Sequence, residues 1–231
     1  MGRILGQYRH AFQTRLMRYQ PNRWLMWCLA IGWLMLACRV PFDFVQVSGG
    51  VLFQDDFSKP YKGWQRISSP QTSSDFMDGV YRLTVNAPNL RTLRTPGLYF
   101  QDVQVEVDAQ KVSGSDRNLF GLICRYQDEG HYYAFLVSSD GYYGIFANVD
   151  GKFGLLGVEL MNATDALHPS PMVNHLRADC IHDRLAMWVN GIPLGEVRDT
   201  SFRGGDVGLF AGTFAVDGTE IWFDNLSVVK P

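Results

Sequence analysis

The chain has 231 residues, 46% of them apolar and 19% charged, with a net charge of −2 that hides an uneven distribution. Residues 1–38 carry Arg3, Arg9, Arg15, Arg18 and Arg23 and no acid, leaving 16 basic against 23 acidic side chains beyond them, a net of −7. A remainder this acidic repels phosphate backbones and excludes nucleic acid as a partner, while its roughly 190 residues suffice for one well-cored domain.

Residues 1–23 read as a basic cytoplasmic arm. Ile4, Tyr8, Phe12 and Leu16 recur every fourth position between the arginines, a stripe that suits a helix on an anionic inner leaflet or simply a basic tail obeying the positive-inside rule. Residues 24–38, WLMWCLAIGWLMLAC, carry no charge. Fifteen residues at ~1.5 Å each span about 22 Å, short of the ~30 Å hydrocarbon core, so the segment has the length of a signal h-region. Two outcomes follow. Met35-Leu36-Ala37-Cys38 resembles a bacterial lipobox with Cys38 as the lipidated residue, or the segment stays as a signal anchor. Either way the rest of the chain is expected on the extracytoplasmic face. Residues 39–50 read as a linker, and residues 51–231 as a single β domain.

Within that domain β-branched and aromatic runs are separated by turn residues. Val103, Val105, Val107 and Ala109 alternate with Gln104, Glu106, Asp108 and Gln110, the pattern of a half-buried strand. Phe120, Leu122, Cys124 and Tyr126 mark one face of the next strand, with Arg125 on the other. His131–Ser138, Tyr142–Val149 and Lys152–Val158 follow, separated by Asp140-Gly141 and Asp150-Gly151. Leu176, Ala178 and Cys180, then Leu185, Met187 and Val189, lead to Asn190-Gly191, a strong hairpin signal. Gly205–Gly212 and Glu220–Val229 supply the last strands. In the last of these the alternation changes phase between Phe223 and Leu226, which predicts a β-bulge at Asp224-Asn225. The long break at Glu159–Pro171 has room for one helical turn. Many short antiparallel strands in this length predict an all-β sandwich or jelly roll.

The segments VLFQDDFS, Gly63-Trp64, DGVYRLTV, FGLICRYQD, SSDGYYGI, NHLRADC, WVNG, DVGLFAGTF and WFDNLSV resemble a bacterial laminin-G-like group within the concanavalin A-like lectin and glucanase superfamily. The resemblance covers Val51 to Val229 and implies a two-sheet antiparallel jelly roll. It leaves activity open, because the superfamily holds lectins, glycan-binding modules, glucanases and adhesive spacers. Glucanases of this fold carry Glu-x-Asp-x-Glu on one strand. Here Glu106 and Asp108 are followed by Gln110, and a carboxamide cannot serve as the acid/base of a retaining mechanism. The plainer reading pairs Glu106 and Asp108 with Arg125 or Arg177. The resemblance also implies a structural Ca²⁺ site at Asp224, Asp56 and Gly79, set against Asp224 merely capping its bulge. Cys180-Ile181-His182 has no second pair at zinc spacing.

A glycan surface needs aromatic platforms beside planar polar groups. Trp188, Arg125, Arg177, Glu106 and Asp108 have outward parity, and Tyr132 and Tyr142 are further candidates for such a cleft. Cys124 and Cys180 both have core parity in an exported domain, which predicts a disulfide between them, set against each being a small buried hydrophobe in a separate part of the core. The functions that fit are a membrane-tethered, non-catalytic glycan- or envelope-binding module, a divergent sugar hydrolase, and a structural subunit packing on a membrane protein partner.

Overall fold

A computed structural model describes residues 50–231 apart from Lys62 and Asp217. The basic arm, the 24–38 segment with Cys38 and nearly all of the 39–50 linker lie outside the described residues. Among the described residues no helix is long and apolar enough to cross a membrane.

Among the described residues sixteen strands follow in order. The first five are β1 (Val51–Asp55), β2 (Ile67–Ser68), β3 (Thr72–Met77), β4 (Val80–Val85) and β5 (Arg91–Arg94). Then come β6 (Val103–Gly114), β7 (Asn118–Asp128), β8 (His131–Ser138), β9 (Tyr142–Val149), β10 (Lys152–Leu155) and β11 (Asn162–Ala163). The last are β12 (Asn174–Ile181), β13 (Arg184–Val189), β14 (Ile192–Arg198), β15 (Asp206–Thr213) and β16 (Thr219–Val229). The 159–171 break holds the short strand β11 in place of the expected helical turn, paired to β9.

Two antiparallel sheets face one another. Sheet A runs β14-β13-β12-β6-β16-β4-β3-β2, with β1 also on β16. Sheet B runs β10-β9-β8-β7-β15-β5, with β11 beside β9. The first half of β16 pairs with β4 and the second half with β1, while β6 follows it along the other side. The break between the halves is a bulge after Asp224, where Asn225 takes φ +53°, and it lets Ile221 and Phe223 share the core with Leu226 and Val228 despite their opposite parities. Asn190 and Gly191 both have positive φ, 51° and 78°, as the tight β13–β14 hairpin demands.

The core between the sheets is the inward set of each strand. Val103, Val105, Val107 and Ala109 on β6 meet Phe120 and Leu122 on β7, with Phe135 on β8 and Leu209 on β15. Burying each large apolar side chain is worth ~1.5–3 kcal/mol. Cys124 on β7 and Cys180 on β12 form a disulfide that ties sheet B to sheet A, with Cα atoms 6.8 Å apart.

Candidate functional site

The outer face of sheet A collects four of the expected residues. Antiparallel register sets Arg177 opposite both Glu106 and Trp188, and His175 opposite Asp108. These side chains are engaged with one another. Arg177 lies over the Trp188 ring at 4.4 Å and makes bonds of 2.9 and 3.2 Å to Asp179. Arg184 reaches the other side of this group, with Nη1 3.2 Å from Asp179 and Nε 2.8 Å from Glu196. His175 sits between two carboxylates, Nδ1 at 2.8 Å from Asp108 and Nε2 at 3.6 Å from Glu106. These two carboxylates push its pKa up to about 9, and the neighbouring imidazole holds Glu106 below the usual range. Asp108 pairs with His175 and the Asn225 amide, and Gln110 donates to the Pro171 carbonyl at 2.6 Å. Glu106 also accepts from the Gln104 amide at 2.6 Å, so Glu106 and Asp108 sit in a satisfied polar lattice, with His175 and Arg177, not Arg125, as their charged partners.

Three expectations need correction or separation. Tyr132 is fully buried: it lies on the outer face of sheet B, and neighbouring rings cover it. Arg125 is also buried, at 2% exposure, because a register slip after Cys124 withdraws it from the face that parity assigned. Tyr142, exposed at the start of β9, belongs to sheet B as well. Sheet order separates all three from Trp188.

At the proposed cation site, burial pushes the Asp224 carboxyl up, with the charges of Asp108 and Asp56 adding to the effect. Asp56 is already bonded to the Ser58 hydroxyl at 2.6 Å and amide at 3.0 Å, and Gly79 completes the β3–β4 turn at φ +84°. Among the described residues no group of three or more His, Cys, Asp or Glu is arranged for a metal ion. Ca²⁺ takes six to eight oxygens, so a site at Asp224 would draw on backbone carbonyls as well as side chains.

A broad concave feature lies on the outer face of sheet B. Both faces of this sheet are apolar. Inward residues fill the core, and outward residues Leu119, Ile123, Tyr132, Ala134, Leu136, Phe146 and Phe210 form a second buried cluster. Phe153 on β10 leans across this face. Its ring stacks on Phe146 at 4.9 Å and 4°, and on Phe210 at 5.9 Å and 8°. Arg91, from the opposite edge strand β5, places its guanidinium 4.5 Å from the same ring. Small residues make room for the rings: Gly121 lies opposite Phe210, and Ala134 opposite Phe146.

Above this floor is a groove of about 680 Å³, bounded by Leu90, Arg91, Phe153, Leu160, Met161 and Phe214. Leu160 stands 80% exposed on its rim. A second hollow of about 380 Å³ shares Leu90 and Arg91 and continues past Leu93 to Tyr132, Glu129 and Gln71. Near this end the Tyr132 hydroxyl and Oδ1 of its cross-strand neighbour Asn148 have no hydrogen-bond partner. The two hollows adjoin at Leu90 and Arg91, a trough in two parts, one floored by aromatic rings and the other more polar, each within the size range of ligand sites. Parity counting missed Phe146, Phe153, Phe210 and Arg91. The available signal was the unbroken apolar character of HYYAFLVS and GLFAG, which marks strands covered on both faces.

No family model matches the sequence, and no curated protein matches it. Solved structures do match the fold. A carbohydrate-binding module from Bacillus subtilis superposes with a TM-score of 0.58 at 18% identity, covering 73% of this chain and 96% of that one. The catalytic domain of an endo-1,3-beta-glucanase (laminarinase) from Thermotoga petrophila gives 0.57 at 8% identity, covering 79% and 98%. The carbohydrate recognition domain of Emp47p gives 0.53 at 14% identity, covering 79% and 96%. The fold is therefore a concanavalin A-like jelly roll of two antiparallel sheets.

Proposed function

We propose that the chain is a membrane-tethered module that binds a glycan or another cell-envelope component on the extracytoplasmic face, with the ligand lying along the trough on sheet B. The observation that carries this reading is the stacked row Phe146–Phe153–Phe210 under an open groove, flanked by Arg91 and a polar end. Phe153, the partly exposed ring of the row, offers apolar surface to the C–H face of a sugar, with Phe146 and Phe210 fixing it from beneath, and the planar polar groups beside it set the ligand's orientation. Fold neighbours that bind carbohydrate support the class of ligand. The basic arm and the 24–38 segment supply the tether in this reading.

The hydrolase alternative has little to work with at Glu106 and Asp108, whose oxygens are held by His175 and Asn225 on the sheet opposite the trough. The test is a glycan array probed with the full chain in detergent, followed by assay of the bound glycans for released reducing sugar. Binding without release is expected. Binding to no glycan would favour a structural subunit that packs on a protein partner, and release of sugar would favour the hydrolase.

A further inference from the structure

A separate pocket of about 380 Å³ opens where β6 begins, where β12 turns into β13, and where the β14–β15 loop crosses. Its walls include Gln101, Asp102, Arg125, His182, Thr200 and Arg203, and it shares no residue with the trough on sheet B. The backbone around Arg125 is specialised. The β7–β8 ladder slips between Cys124 and Asp128, and the β15–β7 ladder slips between Asp206 and Gly208. Arg125 itself takes φ +51°, a conformation costing a non-glycine residue about 1–2 kcal/mol. Gly205 permits the close approach, since a Cβ there would overlap the Tyr126 carbonyl. A bulge re-aims a side chain, and here it turns Arg125 from the face of sheet B to the strand-end pocket.

The guanidinium is held but not saturated. Nη1 donates to the Phe202 carbonyl at 2.8 Å and Nη2 to Asp102 at 3.2 Å, while the buried Nε has no partner. Phe202 is fixed from its other side, its amide donating at 3.1 Å to the Tyr133 hydroxyl, which in turn donates to Asp199. Around this rigid wall the charges do not cancel. Asp102 is matched by Arg125 and contacted by the His182 ring at 3.0 Å, and Asp183 is matched by Arg198 outside the pocket at 2.8 Å. Arg203 makes no ion pair among the described residues. The unmatched charge is positive. Clamping the β14–β15 loop would explain the two bonds of Arg125, yet it requires neither an open cavity nor a second arginine beside it.

We infer that this pocket is a second binding site, built for one carboxylate-bearing sugar residue such as a hexuronic acid. Arg203 pairs with the carboxylate, a geometry guanidinium groups serve better than ammonium. Asp102 and Thr200 take the ring hydroxyls, and the volume suits a single ring. The site stands independently of the trough.

The experiment is calorimetric titration of the full chain in detergent with sodium glucuronate, glucose and sodium acetate at constant ionic strength. Glucuronate should bind at least about tenfold more tightly than either comparator. Arg203→Gln, at an exposed position outside the core, should weaken glucuronate about tenfold, in line with loss of one charged hydrogen-bonded contact. Phe153→Ala should leave it unchanged. Equal binding of acetate and glucuronate, no effect of Arg203→Gln, or loss of glucuronate binding in Phe153→Ala would each overturn the assignment.

Discussion

His175 provides a stability switch whose sign and size follow from its neighbours. Glu106 and Asp108 hold its pKa at about 9, against an ordinary 6.5. Because the folded value is the higher one, the stabilisation is complete below pH 6.5 and is lost as pH rises through about 9. A difference of this size would correspond to ~3 kcal/mol in the absence of screening. The His175 side chain is 46% exposed, however, and exposed pairs are worth far less, so about 1 kcal/mol is the realistic figure. Denaturant unfolding of the wild type and His175→Gln between pH 5.5 and 10 measures it. The wild type should be more stable by about 1 kcal/mol at pH 6, with the gap closing by pH 10. An imidazole proton resonance titrating near 6.5, or a gap that does not change with pH, would refute the reasoning.

Other consequences are as direct. Cys124→Ser or Cys180→Ser should lower stability by up to about 4 kcal/mol, the chain-entropy value for a loop spanning 56 residues, measured by thermal unfolding beside the unreduced wild type. Gly205→Ala should cost about 2 kcal/mol or more, because its φ of +156° and the Tyr126 carbonyl both oppose a side chain; an unchanged Tm would contradict this. For the tether, mass spectrometry of the membrane-fraction protein should find either diacylglyceryl-Cys38 or an intact N-terminus, and full-length protein recovered only from soluble cytosol would contradict both.

Much of the sandwich was legible because alternation is a local signal. Val103 to Ala109 announced an amphipathic strand, Asn190-Gly191 a tight hairpin, and the phase change between Phe223 and Leu226 a bulge, and each is where its residues implied. Sheet membership is not local. Trp188, Arg177, Glu106 and Asp108 share a face because β13, β12 and β6 are neighbours. Tyr132 and Tyr142, with similar composition, lie on the other sheet. The stacked rings come from β9, β10 and β15, whose adjacency across the face depends on strand order. Arg125 was misplaced for another reason. Parity counting assumes unbroken pleating, and the bulge beside it comes only a few residues before the strand ends, leaving no later alternation to reveal the slip.

The central claim is that the trough on sheet B, rather than the Trp188 face of sheet A, receives the glycan. Its most direct test is the binding isotherm of the tightest array ligand with wild type, Phe153→Ala and Trp188→Ala, each shown to be folded by its thermal transition. Removal of the central ring should weaken binding about tenfold, the equivalent of ~1.4 kcal/mol of stacking, and Trp188→Ala should leave it within twofold. Full affinity in Phe153→Ala with loss in Trp188→Ala would place the ligand on the opposite sheet and contradict the account.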